Sequence, residues 1–190
     1  MHPTLTTKRL QLRLIQPADA SFILQGLSDE RVTKYYAVHY DTLEEVQEQM
    51  EFYENLIAES TGVWWAFSLQ GSDELIGACG FSSVEEGHLK AEIGFWILPA
   101  YWGKGYIAEA AKAIIEYGFN EMHLNRIEAI VEGGNVQSES VLKKLGFEFE
   151  GRLREREVKN DQFIDLLYYS ILREKSETNA QRKAFAPKSA

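Results

Sequence analysis

Three extended runs follow one another with no helical stretch between them: Val63 to Leu69, Leu75 to Val84 and Leu89 to Leu98. Turn-forming residues divide them, Gly71-Ser72-Asp73 first and Glu86-Gly87-His88 second. Apolar runs closed by such turns pair antiparallel with their neighbours. A doubly wound dinucleotide fold would alternate strand and helix instead, so the meander argues against it.

The flanking segments complete a layered pattern. Leu10, Leu12 and Leu14 alternate with polar residues, which predicts a strand over 8–15. Pro17 opens a helix to about Leu27, with Phe22, Ile23 and Leu27 on one face. Thr42 and Glu45 form a capping box for a second helix, whose stripe is Val46, Met50, Tyr53 and Ile57. Beyond the meander, 109–119 reads as helix and 127–131 as strand. Asn135 to Leu145 reads as a helix ended by Gly146, and 147–156 with 163–172 as a closing strand pair. The fold class is three-layer α/β: a mixed, mostly antiparallel, twisted sheet of about seven strands with helices on both faces. Neither a repeat nor a long linker divides the chain, so 1–175 reads as one domain. Residues 176–190 are polar, with Phe185 their only large apolar side chain, and read as a frayed tail.

Composition narrows the function. A chain of 190 residues can bury a sizeable core. It shows no membrane-length apolar run and no basic-then-apolar leader. One cysteine, Cys79, allows no internal disulfide, which fits the cytoplasm. Set between Ala78 and Gly80, it reads as a small buried hydrophobe rather than a nucleophile. The formal net charge of -9 argues against nucleic-acid binding and favours a cationic substrate. His2, His39, His88 and His123 are scattered without metal-ligand spacing, so no metal is expected.

The stretch after the third extended run carries the chemistry. Pro99 stops the strand, Gly103 and Gly105 follow, and an Ala- and Glu-rich helix starts near Gly105. The first-turn N–H groups of such a helix are unpaired, and its dipole favours an anion there. Glycine lets a phosphate approach with no Cβ in the way. An NTPase loop would need Ser or Thr after Lys104, and Gly105 stands there. Gly103, Gly105 and Ala108 fit a dinucleotide fingerprint literally, with Glu128 near the place of a ribose-binding acid, but the meander opposes that reading. A coenzyme A loop is the third reading.

Five segments in fixed order resemble the GNAT N-acetyltransferases of the RimJ/RimL-type branch over nearly the whole chain. They are Thr7 to Arg13, Ala91 to Ile97, Trp102 to Ile107, Asn135 to Ser138 with Val141 to Phe147, and Glu150 to Glu155. The resemblance implies the GNAT fold and acetyl transfer from acetyl-CoA to a primary amine, without a metal. The acceptor would be a protein N-terminus, such as that of a ribosomal protein, or a small molecule. Neither nucleic acid nor membrane is implied as a partner, and a homo-oligomer stays open. It implies a pyrophosphate cradle of Trp102, Gly103, Lys104, Gly105, Tyr106, Ile107 and Ala108. The pantetheine arm would lie along the strand edge at Ile97 and meet Asn135 and Ser138, like an added strand. Trp102 stands where the family has Arg or Gln, and Ile107 where it has Gly or Ala. Two other classes stay open: an acyl-CoA-binding sensor without catalysis, and a nicotinamide dinucleotide-binding enzyme.

Glu92 is the candidate general base. Alternation puts Glu92, Gly94 and Trp96 on one face of the strand and Ala91, Ile93, Phe95 and Ile97 on the other. A carboxylate in an apolar strand is costly unless paired or functional, and burial raises its pKa toward a useful range. The alternative is a structural partner of Arg13 or Arg154. Glu132 is a second candidate, or a solvated loop acid. Many family members place a tyrosine, as general acid, where this chain has Leu142; in the RimJ/RimL-type branch a serine serves, and Ser138 matches. Asn135 is also a natural helix N-cap.

Overall fold

The computed structural model describes residues 2–173; the expected tail at 176–190 lies outside them. Eight strands form one sheet: β1 (Leu5–Thr6), β2 (Leu10–Leu14), β3 (Val63–Leu69), β4 (Leu75–Glu85), β5 (Lys90–Ile97), β6 (Arg126–Glu132), β7 (Glu148–Lys159) and β8 (Gln162–Leu172). Their order is β1-β2-β3-β4-β5-β6-β8-β7. The meander is present as β3, β4 and β5, and among the described residues β5 with β6 is the one parallel pair. The strand beyond the expected seven is β1, two residues long, paired with β2. The turn between them is closed by Thr7 N–H on the Leu10 carbonyl at 2.9 Å and Leu10 N–H on Thr7 Oγ1 at 3.0 Å.

Among the described residues, five α-helices cover the sheet: α1 (Ala20–Leu27), α2 (Glu30–Thr33), α3 (Val46–Ala58), α4 (Tyr106–Asn120) and α5 (Val136–Lys144). Short α2 has no apolar period to announce it; it is started by Asp29, whose carboxylate accepts from Arg31 N–H at 2.9 Å. The capping box before α3 is reciprocal. Thr42 Oγ1 accepts from Glu45 N–H at 3.2 Å, and the Glu45 carboxylate accepts from Thr42 N–H at 3.3 Å. The apolar stripe of α3 departs from expectation at its end. Ile57 is 40% exposed, and Leu56 takes its place in the core at 6%. The chain folds back at Gly62, whose N–H reaches the Leu56 carbonyl at 3.1 Å, so the covered side of the last turn is that of Leu56.

Two cores result, one per face. Ala110, Ala111, Ile114 and Leu142 of α4 and α5 pack on Leu10, Leu12, Trp65, Phe67, Phe81, Ile93 and Ile127. Ile23, Leu27, Val46, Met50, Tyr53 and Leu56 of α1 and α3 pack on Trp64, Ala78 and Trp96. Alternation along β5 therefore runs as expected, with Ala91 and Ile93 in the first core and Trp96 in the second.

One feature of this sheet positions the site. β5 and β6 pair over three rungs only, Lys90↔Arg126, Ala91↔Ile127 and Glu92↔Glu128, and then part. The closed end is fastened by charge. Arg126 reaches Glu128 at 2.6 Å and Glu150 at 2.5 Å and donates to Ser170 Oγ at 3.2 Å. Lys90 adds Glu85 at 2.9 Å and Glu128 at 3.7 Å.

Gly26 faces Trp96, so an alanine Cβ there would lie 2.2 Å from the indole Cζ3, a ring already stacked on Phe22. Helix propensity alone would have Gly26→Ala gain up to about 1 kcal/mol. Overpacking of a filled core costs about 1–3 kcal/mol. The clash wins: Gly26→Ala is expected to lower the thermal unfolding midpoint, and a rise would refute this packing. The Arg126 hydrogen bond holds the Glu150 carboxyl down at about 2, against an ordinary 4.5. A depressed carboxylate stabilises the fold above its unfolded pKa and loses that effect as pH falls through the folded value. The melting difference between wild type and Glu150→Gln should be full at neutral pH and shrink from about pH 4.5 down to about 2.

Candidate active site

The opening between β5 and β6 has backbone groups on its wall. Leu98 N–H donates to the Ile76 carbonyl of β4 at 2.9 Å. Alternation then turns the peptide groups of Phe95 and Ile97 the other way, toward the opening. The Ile97 carbonyl is met by the Trp102 indole N–H at 2.8 Å. Trp102 thus straps the loop to the strand end, a role its sequence position did not announce.

β5 ends in the glycine turn. Gly103 and Gly105 have φ of +73° and +77°, in the left-handed region where glycine is strain-free. Gly105 is the N-cap of α4, and no side chain caps that end. The first-turn N–H groups therefore remain available to an anion. An added Cβ on Gly103 would meet nothing within 4 Å. Tyr106 and Ile107 pack against the first core, so the branched Ile107 side chain points inward, away from the N–H face. Lys104 turns back onto its own loop, Nζ donating to the Ala100 carbonyl at 3.1 Å over the Tyr101 ring. The loop is tied down from far away. Glu109, in the first turn of α4, accepts from Thr7 Oγ1 at 2.7 Å, from Arg9 N–H at 2.8 Å and from Arg9 Nε at 2.6 Å. Arg9 also donates to the Lys104 carbonyl at 3.0 Å and lies over the Tyr106 ring. An open left-handed glycine turn on an uncapped helix start fits a pyrophosphate.

β6 leads into α5 through Gly133-Gly134, so Asn135 and Ser138 sit past the C-terminal end of the parallel pair's second strand, as the glycine turn does for the first. Asn135 caps α5: its carboxamide oxygen accepts from Ser138 N–H at 3.2 Å. Leu142, one turn on, is wholly buried in the core, so that position faces packing rather than the opening.

Glu92 stands on the last rung before the strands part. Its suggested partners are engaged elsewhere or absent. Arg13 makes a two-pronged pair with buried Asp19, both contacts 2.7 Å, and Arg154 makes no ion pair with it. Among the described residues, no hydrogen bond or ion pair holds the Glu92 carboxylate. Burial pushes its pKa up, and the Glu128 and Glu157 carboxylates push the same way. Glu132 is neither solvated nor free: it is ion-paired with Lys159 at 2.8 Å, and Lys159 also donates to the Lys34 carbonyl at 2.6 Å. A residue that sequence reasoning missed is Tyr36, after α2, whose phenol is held neutral by burial and feels Glu92 and Tyr53. Trp64 was missed as well. Its indole lies against Gly94, the next residue along Glu92's face, where a Cβ would meet it at 2.8 Å. Neither belongs to a motif; only the fold brings them to β5.

A separate cavity of about 580 Å³ is lined by Gly133, Gly134, Glu139, Arg152, Phe163 and Asp165 among others. It includes neither Glu92 nor the glycine turn. Among the described residues, no three His, Cys, Asp or Glu side chains gather as a metal-binding group, and no helix is long and apolar enough to cross a membrane.

Comparison with known proteins agrees with this geometry. Residues 9–148 match the acetyltransferase (GNAT) domain family. The uncharacterized N-acetyltransferase p20 of Bacillus licheniformis is 36% identical over 90% of this chain and 96% of its own. The ribosomal-protein-serine acetyltransferase of Escherichia coli is 32% identical over 61% of this chain and 65% of its own. The spermidine N(1)-acetyltransferase of the same organism is 26% identical over 85% of each chain. Among solved structures, a GNAT-family acetyltransferase from Bacillus anthracis superposes with a TM-score of 0.78 at 30% identity, covering 90% of this chain and 98% of its own. RimL, a ribosomal L7/L12 acetyltransferase in complex with coenzyme A, has the same fold, with a TM-score of 0.81 at 17% identity over 90% of this chain and 98% of its own. The chain belongs to the GNAT N-acetyltransferases, and its relatives include ribosomal-protein acetyltransferases.

Proposed function

We propose that this enzyme moves the acetyl group of acetyl-CoA to a primary amine by direct attack within a ternary complex. The acceptor is a protein N-terminal α-amine, such as that of a ribosomal protein, or a small amine such as a polyamine. The observation that carries the reading is Glu92: a half-buried carboxylate without a partner among the described residues, at the fork between β5 and β6. Relatives named for ribosomal-protein and spermidine acetylation support both acceptor types. The acidic face formed with Glu128 and Glu157 suits a cationic amine. The chain through residue 175 acts as one domain, in the cytoplasm, where a buried free Cys79 is at home.

Acetyl-CoA supplies a thioester carbonyl activated toward amines. The protein's part is positioning and proton traffic. Gly103, Gly105 and the first-turn N–H groups of α4 hold the pyrophosphate, with Trp102, Lys104, Tyr106, Ile107 and Ala108 shaping the turn. The edge at Ile97 and the polar groups of Asn135 and Ser138 guide the pantetheine arm. Glu92 takes one proton from the amine nitrogen as the C–N bond forms and the C–S bond breaks. Ser138 offers the departing thiolate a proton, which water restores. A binding protein without catalysis would keep the cradle and lack the proton acceptor, which Glu92 supplies here.

The direct test is release of free thiol from acetyl-CoA across a panel of amines and N-terminal peptides. No release with any amine would overturn the reading in favour of a sensor. Three substitutions dissect it. An alanine at Gly105 must hold φ near +77°, at a cost of about 1–2 kcal/mol. Gly105→Ala should weaken acetyl-CoA binding at least about tenfold, roughly 1.4 kcal/mol, by calorimetry. Glu92→Gln should depress kcat, leave acetyl-CoA affinity near wild type and remove the acidic limb of the pH–rate profile. Ser138→Ala should lower kcat by about tenfold to a hundredfold; weaker acetyl-CoA binding with kcat unchanged would make Ser138 a cofactor contact only. A tyrosine placed at Leu142 cannot rescue it, because that side chain lies in the core.

A further inference from the structure

The two carboxylates on the last rung of the parallel pair are held very differently. Glu92 and Glu128 are register neighbours on strands that lie about 4.8 Å apart, and their side chains share a face. Glu128 is gripped by Arg126 Nε at 2.6 Å and by Lys90 Nζ at 3.7 Å. Arg126 is fixed in turn by Glu150 at 2.5 Å and donates to Ser170 Oγ at 3.2 Å. Ser170 completes the ring by donating to Glu150 at 2.5 Å. A negative charge is thus locked beside Glu92, while Glu92 itself has no cation in bonding reach among the described residues.

We propose that Glu128 is a positioning residue for acetyl transfer: its charge, locked by Arg126 and Lys90 on the rung beside Glu92, sets the pH at which the Glu92 carboxyl becomes able to accept the amine's proton. The proposal rests on the reading of Glu92 as the base. The groups that face Glu92 are Lys90 on its own strand, Glu128 and Arg126 on β6, Glu157 on β7, and Tyr36 beyond α2, with Tyr53 of α3 behind it. The β4 residue on its rung, Ser82, carries no charge. Glu157 forms no ion pair among the described residues, and the Tyr36 phenol is neutral through the working range. Among the described residues, Glu128 is therefore the one carboxylate near Glu92 that is held in place by charged partners. A like charge one rung away disfavours ionisation of its neighbour. A base whose pKa is lifted toward the working pH accepts a proton more effectively, with the loss of ionised fraction at acid pH as the cost. The network supplies that lift without a ligand and without moving the strand.

The full-length enzyme and an amine accepted in the thiol-release assay suffice to test this. kcat/KM is followed from acid to alkaline pH for wild type, Glu128→Gln, Lys90→Gln and Glu92→Gln, with melting curves for each. Glu128→Gln keeps the side chain's shape and removes its charge, so the acidic midpoint should fall by about one pH unit. Lys90→Gln leaves Glu128 less neutralised and removes a cation near Glu92, so the midpoint should rise. KM for acetyl-CoA should stay near wild type in both. Opposite shifts from two members of one ion network are not produced by a merely structural loss. A midpoint that stays in place in Glu128→Gln, or moves the same way in both variants, overturns the proposal. Should Glu128→Gln fail to fold, Lys90→Gln decides alone, and no upward shift then overturns it. If the acidic limb survives in Glu92→Gln, the base assignment itself has failed. If the limb vanishes there but does not respond to Glu128→Gln, only the role of Glu128 has failed.

Discussion

A sheet that stops pairing partway along two strands must both hold its closed end and satisfy its open one. Here the parting of β5 from β6 after Glu92↔Glu128 is the constraint on which the site depends. The closed end is fastened twice. Backbone closure comes from Asn125 N–H on the Leu89 carbonyl at 2.7 Å. Charge closure comes from Arg126, which ties β6 to both β8 and β7 through Ser170 and Glu150. The open end is kept apart by the turn at the end of each strand. β5 runs into the glycine turn, strapped by Trp102, and β6 into Gly133-Gly134 and the cap of α5. Unpaired backbone is normally a liability of sheet edges. Inside this fork it becomes the place where an extended ligand can pair.

The two cores give the fork its asymmetry. On one face α4 and α5 pack closely enough to bury Ala110, Ala111, Ile114 and Leu142 completely. On the other, α1 and α3 cover the sheet around Trp64 and Trp96, in a core that includes no β6 side chain among the described residues. Glu92 lies on that second face, where its carboxylate is half-buried rather than sealed. The helix side of the fork therefore presents N–H groups to an anion, and the opposite side presents carboxylates to a cation. Acyl donor and amine acceptor differ in just this way.

Local chemistry was legible in the sequence, and long-range partnership was not. The meander, the reciprocal capping box at Thr42 and Glu45, the Asn135 cap and the left-handed Gly146 all depend on residues a few positions apart. Each is found in the structure. The fold class followed from their order. Distance in sequence hid the rest. Glu109 was visible as an acid in the first helical turn, but its partner Arg9 lies 100 residues away. Arg13 offered itself to Glu92 and instead pairs with Asp19, six residues on, because Pro17 turns the chain back over the strand end. Glu132 looked solvated until the β7–β8 hairpin brought Lys159 over it. Helical period puts Ile57 on the stripe of Val46, Met50 and Tyr53 and Leu56 to one side of it, and the return at Gly62 covers Leu56 instead. The network around Arg126 joins residues of β6, β7 and β8, and no sequence window contains all three strands.

The cap of α5 shows how one residue can satisfy structure and still have groups left for a ligand. Asn135 uses its carboxamide oxygen to accept from Ser138 N–H, which closes the helix start. A carboxamide also carries two N–H donors, and a serine hydroxyl is both donor and acceptor. Capping consumes none of these. No protein group among the described residues takes the Asn135 amide hydrogens or the Ser138 hydroxyl. The cap fixes the side-chain orientation of Asn135 and the backbone of Ser138, which removes much of the entropy a bound ligand would otherwise have to remove. A residue kept only for capping could be Asp or Ser at equal benefit. Asn differs from both in keeping donors after its oxygen is used, and donors are what the carbonyl-bearing arm of coenzyme A would meet at this end of the fork.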